Sequence, residues 1–233
     1  MPFFRRNAVF LSLCLLLIVA LVCALITVSK AKLHLLLCDC HTPAGDIFFK
    51  YYTQVGEWVP YVVCVALLFY KAGWAAFTLA GTVVSGLATQ ILKHIVNAPR
   101  PLTYFAQHYP NVRLPLVDGV SMSRFFSFPS GHTTTFFALF FALCIIYTSQ
   151  SAKRQTAQPS VYRVVGTTVW QVMCFALAAL GAYSRIYLSQ HFAADILGGI
   201  CVGLLITGLL YVVFRRWESA NWYNWHFFQK KSA

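Results

Sequence analysis

The sequence predicts an all-α protein that crosses a membrane six times, and three observations carry that expectation. The 233 residues are 59% hydrophobic and only 10% charged, whereas a soluble domain carries about 25% charge and roughly 45–50% apolar residues. The apolar residues gather in six stretches, most of them near the ~20 residues that a helix needs to cross ~30 Å of hydrocarbon. Each stretch is continuously apolar rather than alternating, which favours helices over a β-barrel.

The first stretch runs about Ala8–Val28 and follows Arg5 and Arg6. A secretory signal has an apolar core of about 7–15 residues before a small-residue cleavage site. This run is 21 residues long, so it reads as a retained span. The second stretch covers about Gly56–Tyr70 and the third about Gly73–Leu92; only Lys71 and Ala72 part them, which predicts a tight helical hairpin. The fourth is about His132–Ser149, the fifth about Val164–Tyr183 and the sixth about Phe192–Phe214. Two connections are long, about Ser29–Val55 and Lys93–Gly131. The first holds Asp46-Ile-Phe-Phe-Lys-Tyr-Tyr, expected to be an amphipathic helix at the interface. The second carries Pro99, Pro101, Pro110, Pro115 and Pro129, which prevent it from staying helical for long. A loop of that length usually carries function. In the C-terminal tail, Trp217, Trp222, Tyr223, Trp225, Phe227 and Phe228 are expected in the head-group layer. With no internal repeat and no low-complexity segment, residues 1–233 read as one membrane domain whose chemistry lies in 93–195.

The net charge of +12 does not point to nucleic acid. The basic residues sit at the ends of apolar runs, where they meet lipid head groups, and not on one helix face or in one tail. Membrane lipids are therefore the expected surroundings, with no nucleic-acid partner. Six of the eight cysteines (Cys14, Cys23, Cys64, Cys144, Cys174 and Cys201) lie inside apolar runs, where cysteine is a small hydrophobe. Cys38 and Cys40 fall in a loop, too close in sequence for an easy mutual disulfide. No C-x-x-C pair or Cys/His zinc spacing appears. An even number of spans puts both termini on one side. That side holds ten Lys and Arg residues, Arg154, Lys230 and Lys231 among them, against eight on the other, while five of the six acidic residues lie opposite. The bias predicts cytoplasmic termini and an external site.

Three segments concentrate polar groups at the external face. Lys93 to Arg100-Pro101 follows the third span, Pro129-Ser130-Gly131-His132 precedes the fourth, and Ser184-Arg185 with His191 and Asp195 joins the fifth to the sixth. In an antiparallel bundle these positions share one side. Lys93, Arg100 and Arg185 supply cations that need an anion near lipid, and an arginine fork matches phosphate oxygens at two points. Gly131 lets its N–H approach a ligand oxygen at a helix start that favours anions, and Ser130 adds a hydroxyl. His191 and Asp195 share a face if helical. The carboxylate then fixes the tautomer and leaves the other ring nitrogen as a nucleophile. His132, on another helix, suits the general acid. Taken singly, Lys93 is a snorkelling helix end, Arg100-Pro101 a loop, Ser130-Gly131 a turn, and His191 with Asp195 a satisfied polar pair. It is their convergence that points to phosphoryl transfer, which needs mainly positioning and charge neutralisation.

These segments resemble the phosphatidic acid phosphatase type 2 (PAP2) superfamily, whose signature is K-x6-RP, then PSGH, then SR-x5-H-x3-D. All three occur here in order and at that spacing, from Lys93 to Asp195. The resemblance implies a six-helix bundle of the PAP2/haloperoxidase type and a lipid phosphatase that needs no metal or other cofactor. It implies a phosphohistidine on His191, oriented by Asp195, with His132 as acid and then base, and phosphate held by Lys93, Arg100, Ser130, Gly131 and Arg185. The spans disfavour the soluble vanadium haloperoxidases that share the site. Small size, the N-terminal arginine pair and short loops resemble bacterial members, implying a cell-envelope enzyme of the inner membrane that acts at the outer leaflet. Family substrates are undecaprenyl pyrophosphate, phosphatidylglycerophosphate, phosphatidic acid and the 1-phosphate of lipid A. Two other functions compete. A lipid phosphotransferase would pass the phosphoryl group to another lipid, and no residue separates that fate from hydrolysis. A transporter or non-catalytic lipid-binding protein would need polar groups at depth, whereas the charges here gather at span ends.

Overall fold

In the computed structural model the described residues are 2–153 and 161–228, so Arg154, Lys230 and Lys231, which enter the charge count above, lie outside them. The described residues form helices with no strand: α1 Phe3–Arg6, α2 Ala8–Thr27, α3 Lys30–Cys38, α4 Pro43–Tyr52, α5 Val55–Leu68, α6 Ala72–Val96, α7 Pro101–His108, α8 Gly131–Lys153, α9 Val161–Tyr187, α10 Ala193–Phe214 and α11 Asn221–Asn224, with a 3₁₀ turn at Arg215–Trp217.

Among the described residues five helices are long and apolar enough to cross a membrane: α2, α6, α8, α9 and α10. The sixth expected span is shorter than the sequence suggests. Its helix α5 has 14 residues and carries Pro60 inside it, so it rises about 21 Å rather than the full hydrocarbon thickness. Phe69, Tyr70 and Lys71 then complete the turn into α6. The expected interfacial segment is helical as α4, with Ile47, Phe48 and Tyr51 exposed. The proline-rich connection allows only the eight residues of α7, which starts on Pro101. Cys38 ends helix α3 and is buried, whereas the sequence put it in a loop; all eight cysteines are free.

Helix α8 is the axis of the bundle. Two thirds of its apolar window is buried (67%), against 11% for α2, whose outer face is left to lipid. Lipid gives helices no hydrophobic reason to associate, so close packing must hold them together. Gly199 and Gly203 supply it between α10 and α8: a Cβ on either would come within 2.7 Å of a backbone carbonyl oxygen, of Ser130 and Thr134 respectively. Gly181 of α9 admits the Phe136 ring in the same way. Phe10 and Cys14 of α2 are buried with Phe136, Phe137, Phe141 and Cys144 of α8, so the N-terminal helix belongs to the core. At the termini side, Tyr223 is fully buried against Trp74, in space that only Gly73 leaves open. It is therefore a packing residue and not the head-group aromatic expected, while Trp217, Trp222, Trp225, Phe227 and Phe228 are exposed.

Candidate active site

The first and third segments of the signature are each shaped by a local chain reversal. Helix α6 carries Lys93 in its last turn and ends on Asn97, whose φ of 43° is left-handed; asparagine tolerates that region better than most side chains. Pro99 and Pro101 then prevent the helix from resuming, and Arg100 sits immediately before α7. Two backbone bonds, from Arg100 to the Arg124 carbonyl (2.9 Å) and from Ser127 to the Ala98 carbonyl (3.0 Å), draw the end of the long loop back to this turn. The spacing between Arg185 and His191 has a similar cause. Ser189 has φ 50°, and the N–H groups of Gln190 and His191 both donate to the Arg185 carbonyl at 2.9 and 3.1 Å. The chain thus folds back over the end of α9 and returns His191 to the neighbourhood of Arg185.

His191 is therefore in a loop, two residues before α10 begins, and not on the helix face that the i,i+4 spacing suggested. Its partner is nonetheless the expected one. Asp195 Oδ2 lies 3.4 Å from His191 Nδ1, though without hydrogen-bond alignment, and such contacts often tighten only with substrate. The same oxygen accepts from the Phe192 N–H at 2.8 Å and from the Ser127 hydroxyl. His191 is 1% exposed. Burial lowers its imidazole pKa well below the ordinary 6.5; Asp195 opposes the shift, and Arg185 and Arg100 reinforce it. The ring is neutral at pH 7, the state a nitrogen nucleophile needs. Phe192 beside it is covered by the Lys30 ammonium, 4.0 Å from the ring centre.

Ser130 is fully buried and immediately precedes α8, accepting from the Thr133 hydroxyl at 3.0 Å, which leaves its own proton available. Its N–H donates to the Asp195 carbonyl at 3.0 Å and so ties the second segment to the third. A Cβ on Gly131 would stand 3.8 Å from Lys93 Nζ, so the first segment closes on the second. The charges of Arg185, His191, Lys93 and Arg100 all bear on the His132 ring. All eight predicted residues thus gather at one end of the bundle, and both imidazoles lie on the same side.

The two arginines have neutral partners. Arg100 donates from Nη1 to Gln190 Oε1 at 2.8 Å and from Nε to the Phe125 carbonyl at 3.1 Å. Arg185 donates to the Thr53 hydroxyl, and its buried Nε has no acceptor. Among the described residues none of Lys93, Arg100 and Arg185 is in a salt bridge; the carboxylates of this region go to the histidines, Asp195 to His191 and Glu57 to His132. Sequence reasoning missed four contributors: Thr53, Glu57, Ser127 and Gln190. Glu57 had one available signal, as a lone carboxylate near the start of an otherwise apolar stretch.

The sequence profile described as "PAP2 superfamily" matches residues 72–219. A lipid A 4'-phosphatase of Porphyromonas gingivalis is 28% identical over 206 residues, covering 82% of this chain and 77% of that protein. Phosphatidylglycerophosphatase B of Bacillus subtilis is 28% identical, over 62% of this chain and 61% of its own length. In fold, the crystal structure of the first transmembrane PAP2 type phosphatidylglycerolphosphate phosphatase from Bacillus subtilis superimposes with a TM-score of 0.62 at 21% identity, covering 94% of this chain and all of that one (100%).

Proposed function

This chain belongs to the PAP2 superfamily, and on that premise we propose that it removes a phosphoryl group from a lipid phosphate by way of a phosphohistidine on His191. The observation that carries the proposal is the pairing just described: among the described residues three cations stand outside any salt bridge, the two arginines held by neutral acceptors, while the carboxylates are reserved for the imidazoles. A structural network would pair the arginines with the acids. An anion site leaves the cationic charge uncancelled, which suits transferring phosphate oxygens.

In the first step His191 Nε2 attacks phosphorus while Nδ1 faces Asp195. The bond from phosphorus to the lipid oxygen breaks, and that oxygen takes a proton from His132. In the second step water attacks the phosphohistidine, gives its proton to His132, and the P–N electron pair returns to His191 as phosphate forms. Lys93, Arg100 and Arg185 hold the phosphate oxygens throughout, helped by the Ser130 hydroxyl and the Gly131 N–H. The relatives' names favour a phosphate monoester on a glycolipid or glycerophospholipid. We take residues 1–233 as one membrane domain, because α2 packs into the same core as the signature helices. We place the site at the outer face of a bacterial inner membrane, on the excess of basic residues with the termini; export of a reporter fused after Ala233 would reverse that orientation.

The test is phosphate release from a panel of lipid phosphates by wild type and His191→Ala in detergent, with alkaline quenching to trap a labelled phosphohistidine. Wild type should release phosphate and retain label, and His191→Ala should do neither. Turnover by folded His191→Ala would reject the assignment. Label without free phosphate would mean transfer to another acceptor instead of water.

A further inference from the structure

The reaction just described needs an acid that is charged at the outset and correctly oriented, and the signature names no residue that holds His132 in that state. The start of α5 supplies one. His132 Nε2 and Glu57 Oε1 are 2.8 Å apart. In the turn that links α4 to α5, Thr53 accepts from Arg185, so the entry to α5 reaches both the acid and a phosphate-binding cation. Glu57 is the third residue of its helix, a position where a carboxylate is favoured by the helix dipole alone, and its side chain is 52% exposed. A surface carboxylate of that kind is ordinarily of little consequence. Its location is not ordinary: a bare negative charge beside an anionic substrate repels it, and its charge also bears on Arg185. The repulsion is removed if the carboxylate is matched by a positive imidazolium.

We propose that Glu57 is the positioning residue of the general acid: it accepts from His132 Nε2–H, stabilises the imidazolium, and leaves Nδ1 as the nitrogen that exchanges protons with the reaction. His132 Nδ1 has no hydrogen-bond partner among the described residues, so it is free for that exchange. As the P–O bond breaks, the leaving oxygen takes the Nδ1 proton and the ring becomes neutral, its Nε2–H still donated to Glu57. When water attacks the phosphohistidine, Nδ1 takes the water proton and the imidazolium forms again. Both imidazoles then have the same design, each with one nitrogen on a carboxylate and the other turned to phosphorus chemistry. The proposal rests on His132 being the acid.

The experiment compares leaving groups. Full-length Glu57→Gln and His132→Ala are purified in micelles, their folding is checked by thermal unfolding, and kcat/KM is measured, since it reports the steps up to the first phosphoryl transfer. One substrate is an alkyl lipid phosphate, whose alkoxide must be protonated; the other is an alkylated nitrophenyl phosphate, whose phenolate leaves unprotonated. Acid–base catalysis contributes about 10²–10⁴-fold, and its orienting partner should account for about 10- to 100-fold of that. Glu57→Gln should lose that factor on the alkyl substrate and stay within about threefold on the aryl one. The basic limb of its pH profile should move to lower pH, because the imidazolium loses its counter-charge, and Glu57→Asp should recover part of the loss. Equal losses on both substrates, or none on the alkyl one, would overturn the role of Glu57. If His132→Ala itself ignored the leaving group, the assignment of His132 would fail instead.

Discussion

Asp195→Asn keeps the size of a side chain that is 4% exposed and removes only its charge. Its effect on rate follows from one distance. At 3.4 Å from Nδ1, a full charge on the His191 ring would interact with the carboxylate by about 5 kcal/mol at an effective dielectric near 20. Attack by Nε2 places only part of a positive charge on the ring at the transition state. If about half develops there, the lost stabilisation is about 2–3 kcal/mol, or roughly 30- to 160-fold in rate. The asparagine oxygen still accepts from the Phe192 N–H and the Ser127 hydroxyl, so the fold should survive. The deficit should appear in kcat more than in KM, because the carboxylate acts on the nucleophile and not on the lipid. The assay is steady-state phosphate release from a lipid phosphate in micelles, with thermal unfolding as control. A folded Asp195→Asn protein whose kcat stays within about threefold of wild type would refute the electrostatic role. Ser127→Ala gives the complement: it keeps the charge but frees Oδ2 of one donor, and should cost much less.

Two further outcomes are expected. Because burial lowers the His191 pKa below 6.5, the unfolded chain binds a proton that the native one refuses. Stability should therefore fall as pH drops below 6.5, by up to about 1.4 kcal/mol for each pH step of one, until the native ring also takes a proton; a melting temperature with the same pH dependence in wild type and His191→Ala would contradict this. Gly203→Ala drives a methyl to within 2.7 Å of the Thr134 carbonyl oxygen and should destabilise the bundle by about 1–3 kcal/mol, read as a lower melting temperature in detergent; an unchanged one would mean that α8 and α10 do not rely on that approach.

Long apolar runs made the spans legible, because hydrocarbon length is a one-dimensional constraint that hydropathy reads directly. The signature was legible because its spacings are those of chain reversals: Asn97 and the flanking prolines turn the chain between Lys93 and Arg100, and Ser189 turns it between Arg185 and His191. Helix ends were less visible. Helix α9 continues to Tyr187 because backbone hydrogen bonding extends past the last apolar residue to include Ser184 and Arg185. Helix α5 ends at Leu68 because the backbone tightens into a turn there, Phe69 and Tyr70 bonding to the Ala66 and Leu67 carbonyls, although both side chains are apolar enough to have been counted in the span. The supporting residues had no pattern at all. Thr53, Ser127 and Gln190 are single polar residues whose partners are 132, 68 and 90 positions away, and only the folded chain pairs them.

The choice of partners also explains why the site is built from helix ends. Arg185 and Arg100 are largely buried, 6% and 9% exposed, and a buried cation with a carboxylate partner would be a closed pair with little left for a ligand. Neutral acceptors hold each guanidinium in place without cancelling its charge. The acceptors available here are the Phe125 carbonyl, Gln190 and Thr53, all outside the helix hydrogen-bond ladder. Within a span, backbone carbonyls are committed to that ladder and lipid offers no acceptor. A positively charged pocket that remains uncancelled can therefore be assembled where helices stop and their loops turn back. That is also where a lipid presents its phosphate, so the requirement for free cationic charge and the location of the substrate select the same end of the bundle.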